Sequence, residues 1–310
     1  MMQHYLEILK RGGKPAAPER PREEGLAALV AGDVARAEAL LPRALAQHPE
    51  DPEVLMGLAT LADRSGRPEE ALGWLQRAHR RNARDLGLLL ALGSAYEAVG
   101  EPAQALASYR QALTVDARCA RAHRGIGALL RDEEPHEAIK ALNQAVYHDR
   151  TNLEARLMLA ELCLQLGDAI RAVTQLHLVL RLAPGRAEVH RLLALAAERL
   201  GDRRQMVTEL ELAVALAPGT AEDYWKLAQG HLALGRDHEA LAALAQAARL
   251  EDTPGKLHVA WASLAEACGL ISVALDAWRV LSGVMAHQGE AHHQLERLLG
   301  LPPGPQAQAA

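Results

Sequence analysis

The chain has 310 residues, 49% apolar and 24% charged, a balance that supports a globular core. Ala supplies roughly one residue in five, aromatics are 3% and Phe is absent, so helix is favoured and a large sheet, which depends on β-branched and aromatic side chains, is excluded. A formal charge of −5, from 34 basic and 39 acidic residues, lacks the cationic excess that general nucleic-acid binding requires.

At the N-terminus, His4, Glu7 and Lys10 interrupt the apolar residues, leaving no run long enough for a secretory signal. Met2, Tyr5, Leu6 and Leu9 recur at i, i+3, i+4 and i+7, which predicts a short amphipathic helix ended by Arg11, Gly12 and Gly13. Residues 1–17 are therefore read as an amphipathic segment and linker, with Pro15 to Pro21 running into the first of a series of repeats. That segment is expected to cap the first repeat or to dock on a second protein. Nothing approaches ~18 consecutive apolar residues, so no membrane insertion is expected. Cys119, Cys163 and Cys268 are scattered, with neither the spacing of a zinc site nor that of a disulfide framework, and a cytoplasmic location is expected.

From residue 18 to 288 the chain repeats. Gly32, Gly66, Gly100, Gly167, Gly201, Gly235 and Gly269 recur at 34 residues, except that the gap from Gly100 to Gly167 holds two repeats with one residue deleted. Five residues after each Gly come Ala37, Ala71, Ala105, Ala172, Met206, Ala240 and Ala274, with Ala138 in the shortened repeat. Seven residues before each Gly stand Gly25, Ala59, Gly93, Ala160, Ala194, Ala228 and Ala262, with Gly127 in the shortened repeat. Small residues at these spacings let two helices approach to ~8–10 Å, so each unit predicts a helical hairpin. The Gly closes its first helix in a left-handed cap. Pro68, Pro102 and Pro135 open second helices, and Pro49, Pro184 and Pro218 stop them. Eight units begin near Pro18, Pro52, Leu86, Ala120, Leu153, Ala187, Ala221 and Gly255. Residues 289–300 predict a capping helix with Glu290, Gln294, Glu296 and Arg297 facing water, and 301–310 a disordered tail.

Leu89, Leu92, Gly93, Tyr96, Ala105, Tyr109 and Ala112 resemble the tetratricopeptide repeat, a family of helical hairpins with a 34-residue period. Other units depart from it at the place of Tyr109, where Leu75, Leu176, Leu210 and Leu244 stand, and Trp278 restores an aromatic. The resemblance implies an all-α α-solenoid of antiparallel hairpins wound into a right-handed superhelix. It also implies that the second, fifth, ninth and twelfth positions of each unit line an inner groove holding a partner's peptide or helix.

By that resemblance the partner-binding residues are Arg121, Arg124 and Arg131, then Leu157, Glu161 and Leu164, then Arg191 and Leu195, then Trp225, Gln229 and Leu232. The three arginines share one helix face and suit an acidic partner, unless Glu154 and Glu161 of the next unit neutralise them. Leu157, Leu164, Leu195, Trp225 and Leu232 read as an exposed apolar patch, unless Trp225 packs beneath the next repeat. The Lys and Asn clamp that some members use on acidic C-terminal peptides is not matched: Thr60, Ser94, Ala128, Glu161 and Gln229 occupy its places.

No reaction signature stands out. Gly125 and Gly127 lie within a predicted helix and read as packing, and His136-Glu137 and His238-Glu239 lack the second His of a zinc-protease helix. His123, His190, His258 and His292 recur at the fourth position, too far apart to share a metal, and His287, His292 and His293 do not share a face. The expectation is a non-enzymatic protein-interaction scaffold or adaptor without metal or cofactor, self-association being left open. The alternative is a regulatory or targeting subunit of an enzyme or assembly complex, with catalysis in another chain.

Overall fold

The computed structural model describes residues 20–250 and 255–282, together with Ala291, His293, Gln294, Arg297 and Leu298. The N-terminal stripe, the expected repeat start at Pro18 and the tail 301–310 lie outside the described residues. So does most of the expected capping helix, of which those five residues are helical.

Every regular element among the described residues is an α-helix, and the sixteen follow one another in consecutive pairs. They are α1 (Pro21–Ala31), α2 (Val34–Gln47), α3 (Pro52–Arg64), α4 (Pro68–His79), α5 (Leu86–Ala98), α6 (Pro102–Val115), α7 (Ala120–Leu129) and α8 (Pro135–His148). Then come α9 (Leu153–Gln165), α10 (Ala169–Leu182), α11 (Ala187–Leu200), α12 (Arg203–Leu216), α13 (Ala221–Ala233), α14 (Asp237–Ala247), α15 (Gly255–Ala267) and α16 (Ile271–Ser282). This is an all-α solenoid of helical hairpins. The chain forms two compact units that meet in sequence between Leu162 and Cys163, inside α9.

The seven periodic glycines all sit at φ between 70 and 83°, a left-handed conformation that strains any residue with a Cβ. In six of the eight pairs the second helix then begins in one of two ways. Pro68, Pro102 and Pro135 occupy its first turn, where a missing N–H costs nothing. In other pairs an Asp after the Gly caps it: Asp33, Asp168 and Asp202 accept the N–H of Arg36, Arg171 and Gln205. Pro21, expected in a linker, is the first residue of α1 and serves the same purpose there. In the shortened repeat, α7 has only ten residues, and its turn from Leu130 to Glu134 contains no Gly.

The alanines after the turns, Ala37, Ala71, Ala105, Ala138, Ala172, Ala240 and Ala274, are all buried. The closest approach is at Tyr109. A Cβ on Gly93 of α5 would lie 2.4 Å from one edge of its ring, and a Cβ on Gly125 of α7 would lie 2.4 Å from the other. A Cβ on Gly25 would lie 3.0 Å from Leu41, one on Gly57 2.8 Å from Leu26, and one on Gly127 2.6 Å from Leu142. Gly125 and Gly127 are thus packing residues.

Gly125→Ala should therefore destabilise the protein by about 1–3 kcal/mol, despite the better helix propensity of Ala. Tyr109→Leu in the same chain should recover part of that loss, since Leu fills this place in other repeats. Chemical denaturation of the double-mutant cycle measures the coupling. Strictly additive losses would show that the ring and the glycine do not compete for the same space.

Candidate functional site

Most of the arginines at inner positions are spoken for. In the N-terminal unit, Arg22 of α1 bonds Asp51 at 2.7 Å and Glu53 at 2.6 Å, at the start of α3. Arg124 of α7 pairs with Glu154 of α9, and Arg131 reaches Glu161 at 3.2 Å. Carboxylates of the following repeat thus neutralise two of the three arginines expected to face a partner. Arg121 makes no ion pair among the described residues, and Leu157 is half-buried. The Tyr109 hydroxyl lies 3.3 Å from Ser94, with Glu97 and Arg124 nearby, and burial of the ring pushes its pKa up to about 12.

The C-terminal unit contains the same kind of rung. Arg191 of α11 donates to Asp223 at 2.9 Å and to the Pro218 carbonyl at 3.0 Å. Asp223 is itself half of the capping box that opens α13, accepting the Thr220 N–H at 2.9 Å. Arg191 therefore holds the next helix in place. Leu164, expected in an exposed patch, is 3% exposed and belongs to the core. Trp225 is half-buried and packs with Tyr224 against a cluster that includes Met206, Val207, Leu210 and Leu227, so much of its surface is already used.

What stays open in this unit is a cleft of about 800 Å³ among the end of α11, the start of α12 and the middle of α13. Gln229 and Leu232 line it, as their inner positions anticipate, and Leu232 is 41% exposed. Glu198, Arg203, Met206, Lys226 and Gly230 complete most of its wall. Lys226 is shared between Glu222 at 3.2 Å and Glu198 at 3.7 Å. Leu195 is half-buried beside these elements on α11. Sequence reasoning placed Glu198 inward but missed Arg203, Lys226 and Gly230. The one available signal was Met206, standing where other repeats have Ala.

Two of the histidines at the fourth position are held by separate partners. His123 Nε2 lies 3.0 Å from the Ala117 carbonyl, with its ring stacked on His148, and His190 Nδ1 lies 2.7 Å from Glu209. His258 is buried, while His287 and His292 lie outside the described residues. Among the described residues no group of three or more His, Cys, Asp or Glu is placed to hold a metal ion. None of the described helices is long and apolar enough to cross a membrane.

Tetratricopeptide repeat models match residues 22–85, 90–133 and 129–196, together more than half of the chain. No curated protein matches it. Among solved structures it is similar to PilF of Pseudomonas aeruginosa, at 18% identity and a TM-score of 0.60 over 74% of this chain and 99% of that one. A tetratricopeptide repeat protein from Parabacteroides merdae is 19% identical with a TM-score of 0.54, over 85% and 99% of the two chains. PilW, a widely conserved type IV pilus biogenesis factor, is 19% identical with a TM-score of 0.54 over 63% and 91%. At these identities the likeness is one of fold.

Between Gly230 and Leu232, His231 turns its ring into the protein. It is 3% exposed, its Nδ1 has no partner, and its Nε2 is 3.6 Å from Glu211 of α12. Burial lowers its pKa below the ordinary value, against the opposing pull of Glu211 and Glu239 and with a small push from Arg236. Below about pH 6.5 the unfolded chain then binds a proton that the folded chain refuses, so stability falls as pH drops from there towards the lowered pKa. The melting midpoint should therefore fall further between pH 7.5 and 5.5 in the wild type than in His231→Leu. An equal fall in both would mean that His231 is free to protonate in the fold.

Proposed function

The chain belongs to the tetratricopeptide repeat family, and from that premise we propose that it is a non-enzymatic scaffold or adaptor that holds a peptide or helical segment of a partner protein. The observation that carries this reading is the open cleft of the C-terminal unit, where Gln229 and Leu232 present an amide and an exposed apolar side chain from inner positions of α13. An apolar side chain left in solvent beside a concave surface is where a protein partner gains most from burial. The other inner residues contribute less, since Arg124, Arg131, Glu161 and Arg191 satisfy one another or a neighbouring helix. A regulatory or targeting subunit would be a narrower case of the same reading, using the same cleft. Cys119, Cys163 and Cys268 are unpaired thiols, which suits a reducing compartment and supports the cytoplasm as the place of work.

Leu232→Glu should remove most captured partners when tagged protein is recovered from cells of its source and the bound proteins are identified by mass spectrometry. Leu182→Glu, at an exposed site on the last turn of α10, should leave the captured set unchanged. Both variants should keep the wild-type melting midpoint within a few degrees, since each alters an exposed side chain. A partner set that survives Leu232→Glu would move the binding surface elsewhere.

A further inference from the structure

The charges of the cleft are unevenly satisfied, and the imbalance bears on what the cleft accepts. Lys226 is ion-paired with Glu222 at 3.2 Å and Glu198 at 3.7 Å, so its positive charge is answered twice from within the protein. Arg203, the first residue of α12, also lines the cleft, is exposed, and has no side-chain partner among the described residues. The carboxylate next to it, Asp202, is turned to the Gln205 N–H at 3.0 Å as the cap of α12. In a protein of net charge −5, a guanidinium without an ion-pair partner is an unanswered positive charge in the cleft wall. The apolar groups of Leu232, Ala233 and Met206 line the same cleft.

We infer that the cleft takes a peptide segment in which a carboxylate side chain stands close to an exposed apolar one, the carboxylate meeting Arg203 and the apolar group covering Leu232. The inference rests on the scaffold reading and adds the chemistry of the partner. Charge complementarity favours this occupant. A planar guanidinium offers paired N–H donors that match a carboxylate, whereas a basic segment would meet Arg203 unscreened and share Glu198 with Lys226, 3.7 Å away. Arg203 lies at the seventeenth position of its repeat, outside the four inner positions of the first helices, and so was not among the expected groove residues.

Panning a phage-displayed random dodecapeptide library against the full chain tests this directly, with the selected peptides measured by fluorescence anisotropy. Peptides that depend on Leu232 should be enriched in Asp or Glu within about three residues of Leu, Ile, Met or Phe. Their affinity should fall roughly tenfold or more in Arg203→Glu, about the loss of one charge-assisted contact. Panning against Arg203→Glu should instead enrich Lys or Arg. An acidic residue in the first turn favours the helix dipole, so this variant should fold, and its circular dichroism and melting midpoint verify that. Selected peptides that need Leu232 but show no acidic enrichment, or bind Arg203→Glu equally well, overturn the inference and leave the scaffold standing. If no selected peptide depends on Leu232, the cleft is not a peptide site: this inference falls, and the scaffold's binding surface lies elsewhere.

Discussion

Everything in this protein depends on how closely two helices can approach without colliding. The Tyr109 ring occupies its place only because Gly93 and Gly125, on the helices to either side, present no Cβ to it. The same rule holds with smaller side chains at Leu41 and Leu142, each set against a glycine. Once the approach is set, the buried alanines of the second helices follow, because no larger residue fits at that separation without pushing the pair apart. A chain with 3% aromatic residues and no Phe can fold under such a rule, since it builds its core from close contact of small groups over many interfaces and not from a few large side chains.

Ion pairs add register to this packing. Arg22, Arg124 and Arg191 come from the same position of three different repeats, and each reaches the beginning of the next repeat's first helix. Partly exposed pairs of this kind contribute only about 0–1 kcal/mol each, so their effect on total stability is small. Their geometric effect is larger, because Asp51 and Asp223 also cap the helices they begin and the arginine ties that cap to the preceding repeat. Residues that a family pattern nominates for a partner are thereby consumed within the array, and the surface left for binding is smaller than the pattern implies.

The period, the hairpins and the turns were legible in the sequence because each rests on a local backbone requirement: a positive φ at Gly32 or Gly201, a missing N–H at Pro68. The packing role of Gly125 and Gly127 was legible for the same reason, as small residues inside a helix. The candidate site was legible only in part. Gln229 and Leu232 line the cleft from the positions that the repeat pattern assigns to the inner face. Leu164 holds the same position as Leu232 and is buried, because a position number fixes the direction of a side chain and not what has been placed over it. The pairing of Arg191 with Asp223 was hidden by distance in sequence, and by the double use of an aspartate that reads simply as a helix start.

The wall of the cleft contains a break in the repeat frame. Met206 stands where Ala37, Ala71, Ala105, Ala138, Ala172, Ala240 and Ala274 stand in the other units, and it is buried, so its extra volume has to be accommodated by a neighbour. That neighbour is Gly230, at a position that other repeats fill with Ala or Leu: a Cβ there would lie 2.7 Å from the Met206 methyl and 2.4 Å from Val207. The larger residue on α12 and the missing side chain on α13 thus compensate each other, as the glycines around Tyr109 do. Here the compensation falls at the wall of an open space and not inside a closed core, since both residues line the cleft. Leu232, two residues further along α13, also lines the cleft and is left in solvent. The rule of close approach that builds the fold therefore also shapes the wall of this cleft, at the repeat where the small residue changed helices.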